Sequence, residues 1–257
     1  MLKMLAYLLG EGVVTAREMP DAFSDETRCL PKLTDTPCVS EECDICEKIC
    51  PTNAIARDRS GDGAAVTIDL SACINCSLCI SACPSKTIVS DKRISVARAT
   101  KDDLLLSTAR TAIQPASSTV PAQRNLFKRS IACRVVSTGC SACDLELSAS
   151  GNPIFDMERF GITVVASPRF ADVLLVTGPV PKAMHEALKS CYMAMSEPRK
   201  VVAVGTCACS GGVHRGGYAE ANGVADVLPV DFYIPGCPPH PWSIVEGLFR
   251  LMGREGV

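Results

Sequence analysis

Apolar residues in the second half of the chain fall into short, nearly continuous runs, the pattern of strands that are buried on both faces. These runs cover residues 131–136, 162–166, 173–177, 201–204 and 230–234. Between them, residues 182–196 have the composition and length of a helix. Because buried strands alternate with helical segments, the pattern predicts an α/β domain with a parallel sheet of the flavodoxin-like type, covered by helices on both faces.

Before the α/β domain lies a segment that is rich in Ala, Ser, Thr and Pro and has no sustained apolar period. Such a composition is typical of a linker. We predict a first domain at residues 1–106, a linker at 107–124 and the α/β domain at 125–257. Residues 1–10 place leucines on much of one helical face, so they form either a docking helix or an amphipathic helix on a membrane. Residues 242–252 form an apolar helix that is suited to packing against a partner.

Length, charge and hydropathy exclude several classes of protein. The 257 residues can hold two domains, and a composition that is 47% hydrophobic supplies a sizeable core. The net charge of -2 leaves no basic excess for nucleic acid. No apolar run approaches the roughly 20 residues of a spanning helix, and the N-terminus has no export signal. We therefore expect a soluble or peripheral protein of the reducing cytoplasm.

Eight of the 16 cysteines form two consecutive runs in the first domain, and each run ends in Cys-Pro. The second run has the C-x2-C-x2-C-x3-C-P spacing of bacterial ferredoxins, in which the fourth cysteine ligates the other cluster. The spacing predicts a small α+β, bacterial-ferredoxin-like domain with two 4Fe-4S clusters. The predicted ligands of cluster 1 are Cys38, Cys43, Cys46 and Cys83, and those of cluster 2 are Cys73, Cys76, Cys79 and Cys50.

The first run departs from this spacing, because four residues separate Cys38 from Cys43. Either the loop bulges or Cys29 replaces Cys38 as a ligand. The prolines after the last cysteines are expected to turn the chain into short helices at residues 53–56 and 85–88. Two runs of four cysteines exceed what the paired knuckles of structural zinc require. Disulfides are disfavoured because closely spaced thiols in a reducing compartment bind metal.

A second set of cysteines follows the predicted strands of the α/β domain. Cys140 and Cys143 follow the first strand, Cys207 the fourth and Cys237 the fifth. Open α/β sheets bind ligands at the carboxyl ends of their strands, and the glycines beside these cysteines allow close backbone approach. The pattern indicates a third 4Fe-4S cluster, cluster 3, with buried structural thiols as the alternative.

The remaining cysteines and one histidine are given more ordinary roles. Cys133 and Cys191 are predicted to be core residues, because one lies in a strand and the other in an apolar helix. Cys209 either shields cluster 3 or exchanges onto it. His240, in the segment CPPHP, either tunes that cluster or serves in packing.

The stretches STGCSACDLEL, GTCACSGG and DFYIPGCPPHP, in this order, resemble the small subunit of energy-converting, membrane-bound nickel-iron hydrogenases, including formate hydrogenlyase. That family is homologous to the 20 kDa subunit of complex I. The resemblance covers about residues 129–253 and implies that the proximal 4Fe-4S cluster is held by Cys140, Cys143, Cys207 and Cys237. Residues 1–100 resemble the polyferredoxin-type subunit of the same complexes, so two subunits are fused in this chain.

The resemblance implies an electron-transfer subunit with three 4Fe-4S clusters and no catalytic residue of its own. Complex I subunits have adjacent cysteines where this chain has Cys140-x2-Cys143, which favours hydrogenase over quinone reductase. A complex I-like NADH or ferredoxin:quinone oxidoreductase and a free electron carrier are the alternatives.

The implied partners are those of such an enzyme complex. The nickel-iron site is expected in a large subunit, beside membrane-arm subunits on the inner face of the cell membrane. The implied donor is formate dehydrogenase, carbon monoxide dehydrogenase or a soluble ferredoxin, and no nucleic acid is expected to bind.

Overall fold

The computed structural model describes residues 2–11, 19–40, 42–58, 65–108 and 127–254. In these ranges the α-helices are α1 (Leu2–Glu11), α2 (Ile45–Ile49), α3 (Leu78–Ala82), α4 (Ala142–Ala149), α5 (His185–Ala194), α6 (Thr206–Ser210) and α7 (Pro241–Leu251). The strands are β1 (Pro31–Leu33), β2 (Ile55–Asp58), β3 (Ala65–Asp69), β4 (Ile88–Ser90), β5 (Leu105–Ser107), β6 (Ile131–Ser137), β7 (Ile162–Val164), β8 (Val173–Thr177), β9 (Lys200–Val204) and β10 (Phe232–Ile234). Almost all of the predicted linker lies outside the described residues.

The N-terminal half is a small α+β unit. In its described part, β1 pairs with β4, and the strands β2, β3 and β5 form a second antiparallel sheet. Ile55 of β2 lies opposite Ile68 of β3, and both side chains are buried. The helices α2 and α3, which carry cysteines of the two runs, pack against each other. This confirms the prediction of a ferredoxin-like domain.

The helices predicted after the two Cys-Pro steps are wrong. In each run a short helix precedes the last cysteine, and a turn followed by a strand comes after it. Asn53 has φ 51° and Lys86 has φ 55°, a left-handed conformation that a right-handed helix cannot continue through. The strands β2 and β4 then begin at Ile55 and Ile88. The two segments therefore repeat one helix–turn–strand unit.

The C-terminal half is built on a parallel sheet. Within the described residues this sheet has five strands in the order β10-β9-β8-β6-β7. Counted along the chain within this half, the order is the 2-1-3-4-5 arrangement of flavodoxin-like folds. β8 is buried along its whole length, as the continuous apolar run 173–177 predicted. The predicted fold of this half is confirmed.

Each face of the parallel sheet has its own apolar core. On one face, Val173, Leu175 and Val202 pack with α4 and α7. On the other face, Leu174 and Val201 belong to a core that includes Leu188 of α5 and extends into the ferredoxin-like half through Ile55, Ile68 and Ile88. The two halves therefore share an apolar core.

Helix α7 is an internal helix, and its interpretation as a surface for a partner is wrong. Ile244 and Leu248 are fully buried within this chain. The Ser243 hydroxyl donates to the carbonyl of Ile94 at 3.0 Å. Close by, the backbone N–H groups of Arg98 and Tyr233 bond each other's carbonyls at 2.9 and 2.8 Å. The helix thus packs onto the segment that leaves the ferredoxin-like half.

Helix α1 forms where the leucine pattern placed it, with Met4, Tyr7 and Leu9 exposed. In the described ranges, no helix is both long and apolar enough to cross a membrane.

Candidate iron-sulfur centres

The last cysteines of the two runs occupy equivalent places in the repeated unit. The N–H of Ala54 donates to Cys50 Sγ at 3.2 Å, and the Thr52 hydroxyl lies 3.7 Å from the same sulfur. Burial raises the pKa of the Cys83 thiol, but hydrogen bonds from the Ile88 N–H and from Ser85 and Thr87 lower that pKa by more. Donors aimed at sulfur stabilise a thiolate and are among the groups that set a cluster's potential.

The thiols predicted for cluster 2 interact with one another. The pKa of Cys73 is raised to about 12. Burial is the main cause, the thiols of Cys79, Cys50 and Cys76 act in the same direction, and the Asn75 N–H opposes them. Burial also raises the pKa of Cys79 to about 11, again with Cys76 and Cys50 as neighbouring charges. Grouped thiols of this kind ionise when a cation compensates their charge, which is what the iron of a cluster supplies.

The thiols predicted for cluster 1 include a second interacting pair. Burial raises the pKa of Cys46, and the thiol of Cys38 raises it further. The Cys43 N–H bonds the Ser40 carbonyl at 3.3 Å. The fourth predicted ligand, Cys83, is half-buried.

Cys29, the alternative first ligand, has a different environment. Its thiol donates to the carbonyl of Thr27 at 3.2 Å. Burial raises its pKa, and its neighbouring groups are Lys92, Ser90 and Asp91. Cys38 interacts with the predicted ligand Cys46, whereas the groups that act on Cys29 are Lys92, Ser90 and Asp91. The arrangement therefore favours Cys38 as the first ligand of cluster 1.

The cysteines predicted for cluster 3 lie at one edge of the parallel sheet. The strands β6, β9 and β10 end at Ser137, Val204 and Ile234. Three positions after each of these ends stand Cys140, Cys207 and Cys237. Cys143 lies in the first turn of α4, where it is buried. Carboxyl ends of neighbouring parallel strands meet at the same edge, so the sheet brings these distant residues together.

These four thiols also form one electrostatic group. The pKa of Cys143 is raised to about 12, mainly by burial and also by the thiols of Cys237, Cys207 and Cys140. Burial raises the pKa of Cys207 to about 11, with Cys237 and Cys140 as neighbouring charges and the Val213 N–H acting in the opposite direction. The set predicted for cluster 3 is therefore one mutually interacting group.

Two glycines leave room for these sulfurs. Gly205 has φ +89°, and a Cβ at this position would lie 2.4 Å from Cys143 Sγ. A Cβ at Gly212, with φ +53°, would lie 3.0 Å from Cys207 Sγ. A side chain at either place would occupy the space of the sulfur, so the backbone cradles the thiols closely, as cluster ligands require.

The donor sets suit clusters better than single ions. Across the described ranges, no three His, Cys, Asp or Glu side chains stand close enough to hold one metal ion. Each thiolate of a cubane binds a different iron atom, which spaces the sulfurs more widely than around one ion. Mutually interacting thiols with N–H donors and glycine cradles are a fit for 4Fe-4S clusters.

A contact that the sequence did not reveal joins two of the predicted ligand loops. The Thr206 hydroxyl donates to the carbonyl of Cys73 at 2.7 Å, and the Ser210 hydroxyl donates to the carbonyl of Ser71 at 2.7 Å. Thr206 directly precedes Cys207, a predicted ligand of cluster 3. The Thr206 bond spans 133 residues, so no local pattern could have predicted it.

The remaining cysteines are core residues. Cys133 and Cys209 are fully buried, and Cys191 packs against the core from α5. The Cys209 thiol donates to the carbonyls of Ala203 and Ile234, at 3.6 and 3.8 Å. The core role predicted for Cys133 is confirmed.

His240 caps and packs a helix. Its Nδ1 accepts the Trp242 N–H at 3.2 Å at the start of α7. Its ring makes T-shaped contacts with the rings of Phe23 and Phe155, and the ring centroids are 4.7 and 5.6 Å from that of His240. Burial lowers the pKa of this imidazole. These contacts favour the packing role over a role in tuning cluster 3.

Fold and thiol groups together define an iron-sulfur electron-transfer protein. The family model for NADH ubiquinone oxidoreductase, 20 Kd subunit, matches residues 140–251, and that for a 4Fe-4S dicluster domain matches residues 37–87. An uncharacterized protein of Methanocaldococcus jannaschii is 50% identical over 130 residues, which are 50% of this chain and 87% of the relative. An NADH-quinone oxidoreductase subunit of Geotalea uraniireducens is 45% identical over 118 residues, which are 46% of this chain and 69% of the relative. The chain belongs to the family of the NADH ubiquinone oxidoreductase 20 Kd subunit.

Solved structures with a similar fold include a chain of the archaeal membrane-bound sulfane sulfur reductase, with TM-score 0.45 and 30% identity over 51% of this chain and 72% of that one. A chain of an NAD+-reducing [NiFe]-hydrogenase has TM-score 0.40 and 23% identity over 50% of this chain and 95% of that one. Both scores are below 0.5, so these likenesses do not discriminate between kinds of enzyme. The protein is an iron-sulfur electron-transfer subunit of a complex I-like or hydrogenase-like complex.

Proposed function

We propose that this chain carries three 4Fe-4S clusters and passes electrons between a donor and the nickel-iron site of a partner large subunit, where protons and H₂ interconvert. The observation that carries the relay is the hydrogen bond from the Thr206 hydroxyl to the Cys73 carbonyl. It joins a predicted ligand loop of cluster 2 to a predicted ligand loop of cluster 3.

This contact supports an order of transfer. Cys46, a predicted ligand of cluster 1, interacts electrostatically with Cys79 of the cluster 2 set. From Cys73 the path continues through one hydrogen bond and the peptide between Thr206 and Cys207. Because these steps run through adjacent loops, electrons would pass from cluster 1 to cluster 2 and then to cluster 3.

The kind of terminal acceptor is proposed from the first two ligands of cluster 3. Cys140 is exposed just before α4, and Cys143 is buried in its first turn. The two residues between them let a C-x2-C loop turn both thiols toward one cluster with less strain than adjacent cysteines would have. Complex I subunits have adjacent cysteines here, and the separated pair supports the hydrogenase form. The exposed thiols of Cys140 and Cys237 put this edge of the sheet within reach of a large subunit.

A complex I-like quinone reductase is the second candidate. Relatives from Geotalea uraniireducens, Desulfovibrio desulfuricans and Heliobacterium modesticaldum are named as subunits of NADH-quinone oxidoreductase, at 45%, 47% and 41% identity. In that case the same relay would end at a quinone held between this chain and a partner. The membrane-arm subunits and the implied donors belong equally to both proposals.

The deciding experiment is anaerobic purification of the chain from its host together with its partners. We expect stoichiometric nickel in the complex and hydrogen evolution from reduced viologen, with the isolated chain as the inactive control. Formate dehydrogenase, carbon monoxide dehydrogenase and ferredoxin are then added separately to identify the donor. A complex without nickel that reduces quinone would contradict the hydrogenase proposal and establish the second candidate.

A further inference from the structure

Arg57 is a buried cation in a strand that otherwise turns apolar residues inward. Its side chain is 9% exposed. Along β2 it shares a face with buried Ile55, and across the sheet it stands opposite buried Val66. Its Nε, Nη1 and Nη2 atoms are all buried and have no hydrogen-bond partner in the part of the chain that the structure describes. A buried guanidinium without a partner is costly, which indicates that it faces a group with negative charge.

The strand that carries Arg57 lies beside the predicted cluster 1 site. β2 packs against α2, the helix that carries Cys46. Arg57 also lies close enough to the Cys46 thiol for its positive charge to act on it. Thiolate and sulfide sulfurs are acceptors, and hydrogen bonds to sulfur together with net charge set the potential of an iron-sulfur cluster.

The internal repeat shows that this arginine is specific to one of the two halves of the ferredoxin-like unit. Arg57 stands seven positions after Cys50, and Ser90 stands seven positions after Cys83. The buried residues Ile55 and Ile88 correspond in the same way. The two repeats thus share their turns and apolar positions but differ in charge at this place.

We propose that the Arg57 guanidinium donates hydrogen bonds to sulfur of cluster 1 and raises the reduction potential of that cluster relative to cluster 2. Reduction adds one negative charge to the cluster, and a buried cation beside it favours the reduced form. The two clusters would then differ in potential although their ligand loops are repeats. The inference rests on the proposed function only in the assignment of cluster 1. In this proposal Arg57 tunes the reduction potential of cluster 1 and binds no substrate.

The test is a redox titration of the full-length chain, prepared anaerobically and followed by low-temperature EPR. A Cys46→Ser variant identifies the signal of cluster 1. For Arg57→Met we expect that signal to titrate at a lower potential, by about a tenfold change in the one-electron equilibrium constant, which is 59 mV. Arg57→Lys keeps the charge without the planar donor fork, so we expect a smaller shift in the same direction.

Matched controls separate this effect from a general loss of charge. Arg169→Met removes a cation from an exposed position, and Ser90→Ala alters the equivalent place in the other repeat. Neither is expected to move the cluster 1 potential. A potential that is unchanged in Arg57→Met, or a shift in another cluster instead, would overturn the proposal.

Iron and sulfide content is measured as well, because it shows whether the apolar variant Arg57→Met still assembles cluster 1. Should Arg57→Met lose cluster 1, Arg57→Gln retains N–H donors without the charge. A lower cluster 1 potential in Arg57→Gln supports the role, and an unchanged one rejects it. Absence of the cluster 1 signal from the unaltered chain would instead contradict the three-cluster function.

Discussion

The two halves of this protein bring cysteines together in opposite ways. In the ferredoxin-like half, Cys73, Cys76 and Cys79 lie within one loop and the start of α3. In the α/β half, the predicted ligands from Cys140 to Cys237 are spread over nearly a hundred residues and meet because their strands end at one edge of the sheet.

The loop sites and the sheet-edge site therefore depend on different features of the fold. A loop site depends on local spacing and on the backbone donors that the repeated unit supplies around Cys50 and Cys83. A sheet-edge site depends on the register of several strands and on glycines such as Gly205, which leave room for sulfur. Changes at the sheet edge should therefore affect cluster 3 alone, unless the core shared by the two halves transmits them.

The largest expected effect comes from removing a thiol of the sheet edge. Cys143→Ala should abolish cluster 3 and the electron transfer of the assembled complex, while both clusters of the ferredoxin-like half stay detectable by low-temperature EPR. The reason is that a thiol at the sheet edge contributes little to the shared core around Leu174 and Ile68. Loss of all three signals together would mean that the two halves do not assemble their sites independently.

A smaller effect is expected from crowding the same site without removing a ligand. Gly205→Ala places a Cβ 2.4 Å from Cys143 Sγ and strains a backbone at φ +89°. We expect iron content to fall by about one cluster per chain, with the loop sites intact, as measured by iron analysis and EPR.

Gly216→Ala is the matched control for that variant. Gly216 also has a positive φ, +77°, but nothing lies within 4 Å of a Cβ there. It should cost only the backbone strain of about 1–2 kcal/mol and keep the full iron content. Equal loss of iron in both variants would assign the effect to strain and not to contact with the sulfur.

The smallest expected effect concerns the contact that links the two kinds of site. Thr206→Val removes the hydrogen bond to the Cys73 carbonyl, so the free energy of unfolding should fall by about 1 kcal/mol. We also expect the magnetic interaction between reduced clusters 2 and 3 to weaken, as seen in the splitting of their EPR signals.

Thr163→Val serves as the comparison, because the Thr163 hydroxyl bonds the Ile131 carbonyl at 3.5 Å wholly within the α/β half. It should leave the interaction between clusters unchanged. If Thr206→Val also leaves that interaction unchanged, the path through Thr206 is not the one that couples the two sites.

The predictions from sequence were accurate where the signal was local. The apolar run 173–177 is β8 to the residue, and the run 131–136 is β6 less its last residue. The short helices expected at 53–56 and 85–88 failed for a local reason as well. Asn53 and Lys86 adopt a left-handed conformation. Residues other than glycine adopt it infrequently, so the residue composition of the segment does not predict it.

Long-range packing accounts for the other differences. An apolar helix looks the same in sequence whether its face meets a partner or its own chain, so the pattern of α7 does not show that it packs internally. The burial of Arg57 and the bond from Thr206 to Cys73 likewise follow from the joining of the two halves and from the packing of α2 on β2. Neither residue belongs to a motif.

The sequence by itself determined the spacing of the thiols, the alternation of strands and helices, and hence the two kinds of cluster site, because these features depend on neighbours along the chain. Only the tertiary structure decided which predicted ligand loops touch, which face of the sheet the ferredoxin-like half covers, and that the Arg57 cation is buried. The contact between ligand loops joins Thr206 and Cys73, which are 133 positions apart. These features are set by the packing of the whole core, so no local pattern of residue types encodes them.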